Sequence, residues 1–375
     1  MPILKRFWQS LRHRVTGWDG GWDAASVRPS GPAALPAPTP EPQPPPPRTL
    51  ALALQGGGAH GAFTWGVLDR LLEEESFALV GLSGASAGAM NAAMLAQGWA
   101  RGGRAGARAE LDRFWERISA AGQLGPIRPG LSARLFARWG ERIASDRWNV
   151  DHAFGSHLVE WARRWVSPYQ TQGAETHPLR PLLTELVEPE LIRESGLRLF
   201  ISATSVRSGG LLLFDETQIG VDHLLASACL PHLFRAVSID GVECWDGGYV
   251  ANPPVVPLVA ACAGADVAVV TINPLTAPTT PEQPTAIAAR LNQITFNAPL
   301  LTELRGLIAQ PDAPRLHLIE ADTALRDLGV YSKLVTDWAF LCWLRETGRQ
   351  TAELWLAANR DAVGQRATLR TAALS

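Results

Sequence analysis

Phe77-Ala78-Leu79-Val80-Gly81-Leu82-Ser83 runs into Gly84-Ala85-Ser86-Ala87-Gly88 and then into Met90-Asn91-Ala92-Ala93-Met94-Leu95-Ala96. The first part is a short apolar run of strand length, and the last reads as a helix rich in small residues. Between them the pattern G-x-S-x-G predicts a tight strand-to-helix turn that lifts a serine side chain out at the carboxyl edge of a sheet. The flanking glycines suit such a turn, because a Cβ at either place collides with the turn or the neighbouring strand. Read alone, Ser86 is equally well an N-cap of the following helix. What separates the two readings lies upstream and far downstream.

Upstream, Thr49 to Leu54 is a short apolar strand, followed at once by Gln55-Gly56-Gly57-Gly58-Ala59-His60-Gly61. Ala62, Trp65, Leu68 and Leu72 then fall on one helical face. Residues 49–97 therefore read as strand, loop, helix, strand, turn, helix, with two parallel neighbouring strands. Gly56, Gly58 and Gly61 satisfy the dinucleotide-binding pattern G-x-G-x-x-G. That use needs an acidic residue at the end of the second strand for the ribose. Here the strand ends Leu82-Ser83-Gly84, and Glu73 to Glu75 sit too early, so the nucleotide reading lacks its partner. The same geometry suits an oxyanion hole. Consecutive glycines leave backbone N–H groups bare at the positive end of a helix, side by side with the Ser86 turn.

The rest of the chain frames this pair. The chain has 375 residues, 46% of them hydrophobic, which is ample for a large core; a net charge of −2 leaves no basic footprint for nucleic acid. Cys229, Cys244, Cys262 and Cys342 are scattered, so no zinc site or disulfide framework is expected. No apolar run reaches the roughly 18 residues of a membrane span. The N-terminus lacks the charged–apolar–cleavage order of a signal peptide, so a cytoplasmic protein is expected, with peripheral membrane contact. That contact would use residues 2–17, where Leu4, Phe7, Trp8, Leu11 and Val15 recur at helical spacing among Lys5, Arg6, Arg12, His13 and Arg14. Prolines from Pro29 to Pro47 make residues 28–48 an extended linker. The expected organisation is residues 1–48 as a basic amphipathic N-terminus and disordered linker, 49–360 as the folded domain, and 361–375 as a tail.

Within the domain, Gly102 to Gly106 reads as a loop. Helical pieces around 107–120, 131–143, 150–166 and 178–187 then form an insertion that contains five of the 14 tryptophans and could serve as a lid or acyl-chain channel. Strands are expected at 197–204, 211–214, 236–239, 242–245, 266–272 and 315–320, with Asp240-Gly241 as a hairpin turn. Long helices are expected at 283–309 and 332–358.

A serine nucleophile needs a proton acceptor. Among the histidines only His317 lies beyond the later acidic residues, as a Ser-acid-His order requires, but it sits inside a strand. Asp246 is the other candidate: it ends a strand and precedes Gly247 and Gly248, which allow a substrate or backbone to approach its carboxylate. An aspartate in a turn is also a common local hydrogen-bonding device.

Three of these motifs in this order, Gly56 to Gly61, Gly84 to Gly88 and Asp246-Gly247-Gly248, resemble the patatin-like phospholipase family. Ala226-Ser227-Ala228-Cys229-Leu230-Pro231 is similar to its A-S-x-x-x-P block. The resemblance covers about residues 50–275. It implies an α/β fold, a mixed and mostly parallel sheet sandwiched between helices and related to α/β-hydrolases, with a helical insertion. It also implies a Ser–Asp dyad with no histidine: Ser86 as nucleophile and Asp246 as base. Gly57, Gly58 and Gly61 N–H groups would form the oxyanion hole, with Gly56, Gly84, Gly88, Gly247 and Gly248 supporting the turns. The implied activity is cleavage of fatty-acyl esters of phospholipids or other lipids, without metal or cofactor. The rivals are a Ser-Asp-His esterase and a non-catalytic lipid-binding protein. The loop's fifth position, often Arg or Lys in the family, is His60 here, and a neutral imidazole supplies no fixed charge.

Overall fold

The computed structural model describes residues 48–122, 167–170, 177–326 and 328–369. The amphipathic segment at 2–17, the proline-rich stretch up to Pro47, and the helical pieces at 131–143 and 150–166 lie outside the described residues.

The strands are β1 (Arg48–Leu54), β2 (Phe77–Gly84), β3 (Arg198–Ser205), β4 (Leu211–Asp215), β5 (Val237–Ile239), β6 (Val242–Asp246), β7 (Asp266–Thr271) and β8 (Leu316–Glu320). They form one sheet in the order β5-β6-β3-β2-β1-β7-β8, with β4 also paired to β3. Pairs β3–β2, β2–β1, β1–β7 and β7–β8 are parallel, whereas β4, β6 and β5 join antiparallel. The β5–β6 hairpin turns at Asp240 and Gly241, both at positive φ (49° and 79°), as its two-residue turn requires.

Successive residues of β1 point to opposite faces, and both faces are apolar. Leu50, Leu52 and Leu54 join one core cluster, and Ala51 and Ala53 the other. Helices α1 (Gly61–Leu71), α2 (Ala87–Gly122), α5 (Val221–Ser227) and α9 (Trp338–Asn359) contribute to the first cluster, as do α3 (Arg180–Leu186) and α4 (Pro189–Glu194). Helices α6 (Val255–Ala261) and α7 (Pro284–Ile308) cover the second, and α8 (Asp322–Leu325) follows β8. The sheet is thus sandwiched between helical layers.

The loop expected over Gly102 to Gly106 is narrower than its composition suggests. Only Gly102 and Gly103 leave helical geometry, and α2 resumes after this kink. The other glycine serves packing: a Cβ on Gly106 would lie 2.2 Å from the Gly98 carbonyl oxygen, so the two segments touch backbone to backbone. The same device joins α1 to α9. A Cβ on Gly66 would fall 1.9 Å from the Arg345 carbonyl oxygen, and one on Gly348 would fall 2.0 Å from that of Phe63. Buried Asp69 of α1 reinforces the crossing by pairing with Arg108 of α2 (2.6 Å) and with Arg345 (2.9 Å) and Arg349 of α9. Beyond position 360, Gly364 N–H donates to Asp266 and Thr368 N–H to the Leu316 carbonyl, which holds this stretch on β7 and β8. No described helix is long and apolar enough to cross a membrane.

Candidate active site

Ser86 follows β2 in the left-handed region, with φ 53°. A side chain that is not glycine is strained there, by roughly 1–3 kcal/mol, and persists only where the surroundings enforce it. Two close contacts enforce it. A Cβ on Gly84 would lie 2.4 Å from the Gly88 carbonyl carbon, and one on Gly88 would lie 2.0 Å from the Leu54 carbonyl oxygen. The turn is therefore pressed flat against the end of β1, which forces the serine side chain outward. Its N–H donates to Ser227 Oγ at 2.9 Å.

The register of β3 accounts for the meeting of Ser86 with Asp246. The first half of β3 pairs in parallel with the end of β2, Ile201 opposite Gly84. Its second half pairs antiparallel with β6, Ala203 opposite Asp246. Since β4 occupies the other edge of β3 over both halves, β2 and β6 lie on the same edge and run toward each other. Their ends face each other with one residue of β3, Ser202, between them, and that is where the serine and the aspartate come together.

Asp246 is 1% exposed. Its backbone is fixed at both polar groups: its N–H donates to the Cys229 carbonyl at 2.8 Å, and its carbonyl accepts from Thr204 Oγ1 at 2.7 Å. Its Oδ1 accepts the Gly248 N–H at 2.8 Å. Burial pushes the carboxyl from its ordinary 3.8 up to about 6, against the opposing pull of the Gly248 N–H, the Ser86 hydroxyl and the Lys333 charge. Gly247 and Gly248 are constrained by neighbours, since a Cβ would meet the Ser202 carbonyl oxygen at 2.1 Å and the Phe296 ring at 2.7 Å respectively. The Ala226–Pro231 block ties the two centres together: Ser227 holds the Ser86 backbone and Cys229 holds that of Asp246.

The glycine loop lies directly against the turn. A Cβ on Gly56 would sit 2.5 Å from the Ala85 carbonyl oxygen and 2.8 Å from Ser86 Cβ. Gly56 N–H donates to Asn252 Oδ1 (2.7 Å), and its carbonyl accepts from Asn273 Nδ2 (3.2 Å). Gln55 accepts the N–H groups of Ile272 and Asn273, each at 2.8 Å, and so fixes the loop to the end of β7. Among the described residues, the N–H groups of Gly57 and Gly58 have no hydrogen-bond partner. Gly58 has φ 60° and is exposed. Gly61 differs: its N–H turns back to the carbonyls of Gly58 and Ala59, and its carbonyl accepts from Asn91 Nδ2. Gly61 is a packing glycine, its absent Cβ leaving room for Ala87 and Trp115.

His317 is not part of this arrangement. It lies on β8, three strands from β2, or roughly 14 Å at ordinary strand spacing. It is fully buried, with Nε2 2.8 Å from Asp266 and Nδ1 2.9 Å from Thr368. His60 is buried against Ser332 Oγ at 2.7 Å; burial and the nearby Lys333 charge hold it neutral, with its pKa lowered to about 3. No metal-ligating cluster occurs among the described residues, and the four cysteines are free thiols. Sequence reasoning missed Asn252, Asn273 and Lys333, which reach the loop from positions 196 to 275 residues away and carry no local signature.

A family model described as patatin-like phospholipase matches residues 52–259. Comparison with curated proteins gives no match. Among solved structures, the chain is similar to VipD from Legionella pneumophila, at 17% identity over 83% of this chain and 67% of that one, with a TM-score of 0.37. It is also similar to a chain of the heterodimeric ExoU–SpcU complex from the type III secretion system of Pseudomonas aeruginosa, at 17% identity over 84% of this chain and a TM-score of 0.29. It spans 60% of the length of that second chain.

Proposed function

The chain belongs to the patatin-like phospholipase family, and on that premise we propose that it is a serine acyl hydrolase of lipid esters, with Ser86 as nucleophile and Asp246 as its base. The observation that carries this reading is the contact between a strained, outward-facing serine and a buried aspartate whose carboxyl is pushed up to about 6. An ordinary carboxylate is a poor acceptor for a hydroxyl proton; one raised toward neutrality is better matched to the task and still ionised at pH 7.

In this reaction Asp246 takes the Ser86 hydroxyl proton while Oγ attacks the ester carbonyl carbon. The carbonyl oxygen becomes an oxyanion, received by the N–H groups of Gly57 and Gly58. The tetrahedral intermediate collapses, the ester C–O bond breaks, and the alcohol leaves with the proton from Asp246. Water then gives a proton to Asp246 and attacks the acyl-enzyme; a second collapse frees the fatty acid and returns the proton to Ser86. No histidine takes part. The substrate class is a phospholipid or a related lipid ester, with peripheral membrane contact through residues 2–17 as part of the proposal. The domain is proposed to span residues 49–360, with the segments on either side as arm and tail.

The test is labelling with a fluorophosphonate, together with hydrolysis of p-nitrophenyl butyrate and of phospholipid vesicles. Wild type is expected to label at Ser86 and to hydrolyse both substrates, and Ser86→Ala to do neither. Folded wild-type protein that leaves the probe untouched would favour a non-catalytic lipid-binding protein. Hydrolysis surviving in Ser86→Ala would refute the assignment of the nucleophile.

A further inference from the structure

Lys333 lies in a 3-10 turn (Val330–Leu334), far outside the residues that match the family model. Yet it sits behind the glycine loop. Its own carbonyl oxygen packs on Gly58, where a Cβ would lie 2.4 Å away. Its ammonium donates to Asn273 Oδ1 at 2.7 Å and to Asn292 Oδ1 at 2.8 Å, and lies 5.9 Å from the centre of the Phe296 ring. Both acceptors are neutral amides. Among the described residues no carboxylate hydrogen-bonds to this half-buried ammonium, although Asp246 is near enough to act on it through space.

The hydrogen bonds continue from Lys333 toward the loop. Asn273, whose Oδ1 accepts from Lys333, donates its Nδ2 to the Gly56 carbonyl. That carbonyl belongs to the same peptide group as the Gly57 N–H. A hydrogen bond accepted at the oxygen of a peptide group draws electrons toward that oxygen and strengthens its N–H as a donor.

We propose that Lys333 is the positioning cation of the glycine loop: acting through Asn273 and the Gly56–Gly57 peptide, it strengthens the Gly57 N–H that receives the oxyanion. This rests on the acyl-hydrolase reading above and deepens it. The charge that His60 does not carry is thus supplied from the other end of the chain, and its presence helps to keep His60 neutral. The side chain is half-buried, with its ammonium flanked by two amides and the Phe296 ring. The titratable groups whose charge interacts with it are His60 on the loop and Asp246 on β6; on the neighbouring elements Arg290 of α7 is held by the Pro274 and Leu275 carbonyls, and Asp322 of α8 accepts the Leu275 N–H. Burial lowers the Lys333 pKa from 10.5 to about 8, while Asp246 pulls it back upward. The charge is therefore present below about pH 8 and lost above it.

The experiment compares wild type, Lys333→Met, Lys333→Arg, Asn273→Ala and the Met/Ala double variant on p-nitrophenyl butyrate and on phosphatidylcholine vesicles. Lys333→Met is expected to lower kcat roughly tenfold to a hundredfold on both substrates with KM unchanged, since one oxyanion donor weakened is worth less than one removed. Lys333→Arg is expected to restore most of the rate and to move the alkaline fall of kcat from about pH 8 to well above pH 9. Asn273→Ala should match Lys333→Met, and the double variant should lose no more than either, because the two act in series. A loss confined to phosphatidylcholine and expressed in KM would assign Lys333 to the head group and overturn the proposal, as would full activity in Lys333→Met. If Lys333→Met fails to fold, an unmoved alkaline limb in Lys333→Arg overturns it instead. Hydrolysis that survives Ser86→Ala would take down the underlying reading, whereas a dead Ser86→Ala beside a fully active Lys333→Met takes down this inference alone.

Discussion

Asp246→Asn is predicted to inactivate the protein and stabilise it in the same step. The native carboxyl is held at about 6 against an ordinary 3.8, and it is 1% exposed, so solvent screens the effect little. About two pKa units at 1.36 kcal/mol each amounts to on the order of 3 kcal/mol, by which ionising Asp246 at pH 7 weakens the fold. The direction follows from proton binding. Between about pH 4 and pH 6 the native state holds a proton that the unfolded chain has already released, so stability falls as pH rises through this window. Below it both states are protonated and the penalty vanishes. Asparagine keeps the Oδ1 that accepts the Gly248 N–H but carries no charge at any pH. Urea unfolding of both proteins at pH 4, 5, 6 and 7 should therefore show two nearly equal stabilities at pH 4 that diverge in favour of the variant, by up to ~3 kcal/mol, at pH 7. Esterase activity of the wild type should reach half its maximum near pH 6 and level off about one unit higher, as the native carboxyl ionises, while the variant stays inactive. A variant no more stable than wild type at pH 7, or a gap that widens as pH falls, would refute the argument that burial sets this carboxyl's affinity for its proton.

Ser227→Ala removes the oxygen that accepts the Ser86 N–H. It should cost roughly 1–3 kcal/mol in urea unfolding and lower kcat with little change in KM, because the strained turn loses a support rather than a binding contact. His317→Ala should retain hydrolysis and lose roughly 1–3 kcal/mol of stability, since Asp266 keeps Arg315 and Gly364 but loses one buried partner. Loss of activity in a folded His317→Ala protein would revive the histidine triad. Gly348→Ala should be among the most damaging single changes outside the site, at about 3 kcal/mol or more, because its Cβ meets backbone that cannot rotate away. Its urea midpoint and soluble yield measure this.

The parts of the fold that were legible in the sequence are those specified within a few residues. β1, the glycine loop, α1, β2 and the turn at Ser86 follow each other at short range, each marked by apolar runs or glycine. Asp240-Gly241 announces its own hairpin. Gly102 to Gly106 misled, because glycine used for helix-to-helix contact looks like glycine used for a loop until the facing Gly98 is known. In the site, Ser86 and Asp246 could be named because each stands among glycines that serve the same turn. The features that tune them could not. The head-on meeting of β2 and β6 is a property of the β3 register, and Ser227, Asn252, Asn273 and Lys333 are ordinary polar residues until folding brings them to the loop. The amide ring around Gly56 has no period and no fixed spacing, so no local pattern records it.

The crossing of α1 with α9 has a consequence for how the molecule is made. Translation delivers the glycine loop early, yet what seats it comes late: Ile272 beneath Gly57, the Lys333 carbonyl on Gly58, and Gly348 against Phe63 at the base of α1. A nascent chain that has just released β6 from the ribosome already holds both Ser86 and Asp246, but its loop has neither floor nor back wall. Competence for the proposed acyl transfer is then among the last properties that synthesis confers. A ribosome stalled before β7 would carry a chain with the proposed nucleophile and base but with neither Ile272 nor Lys333 to seat the proposed oxyanion loop.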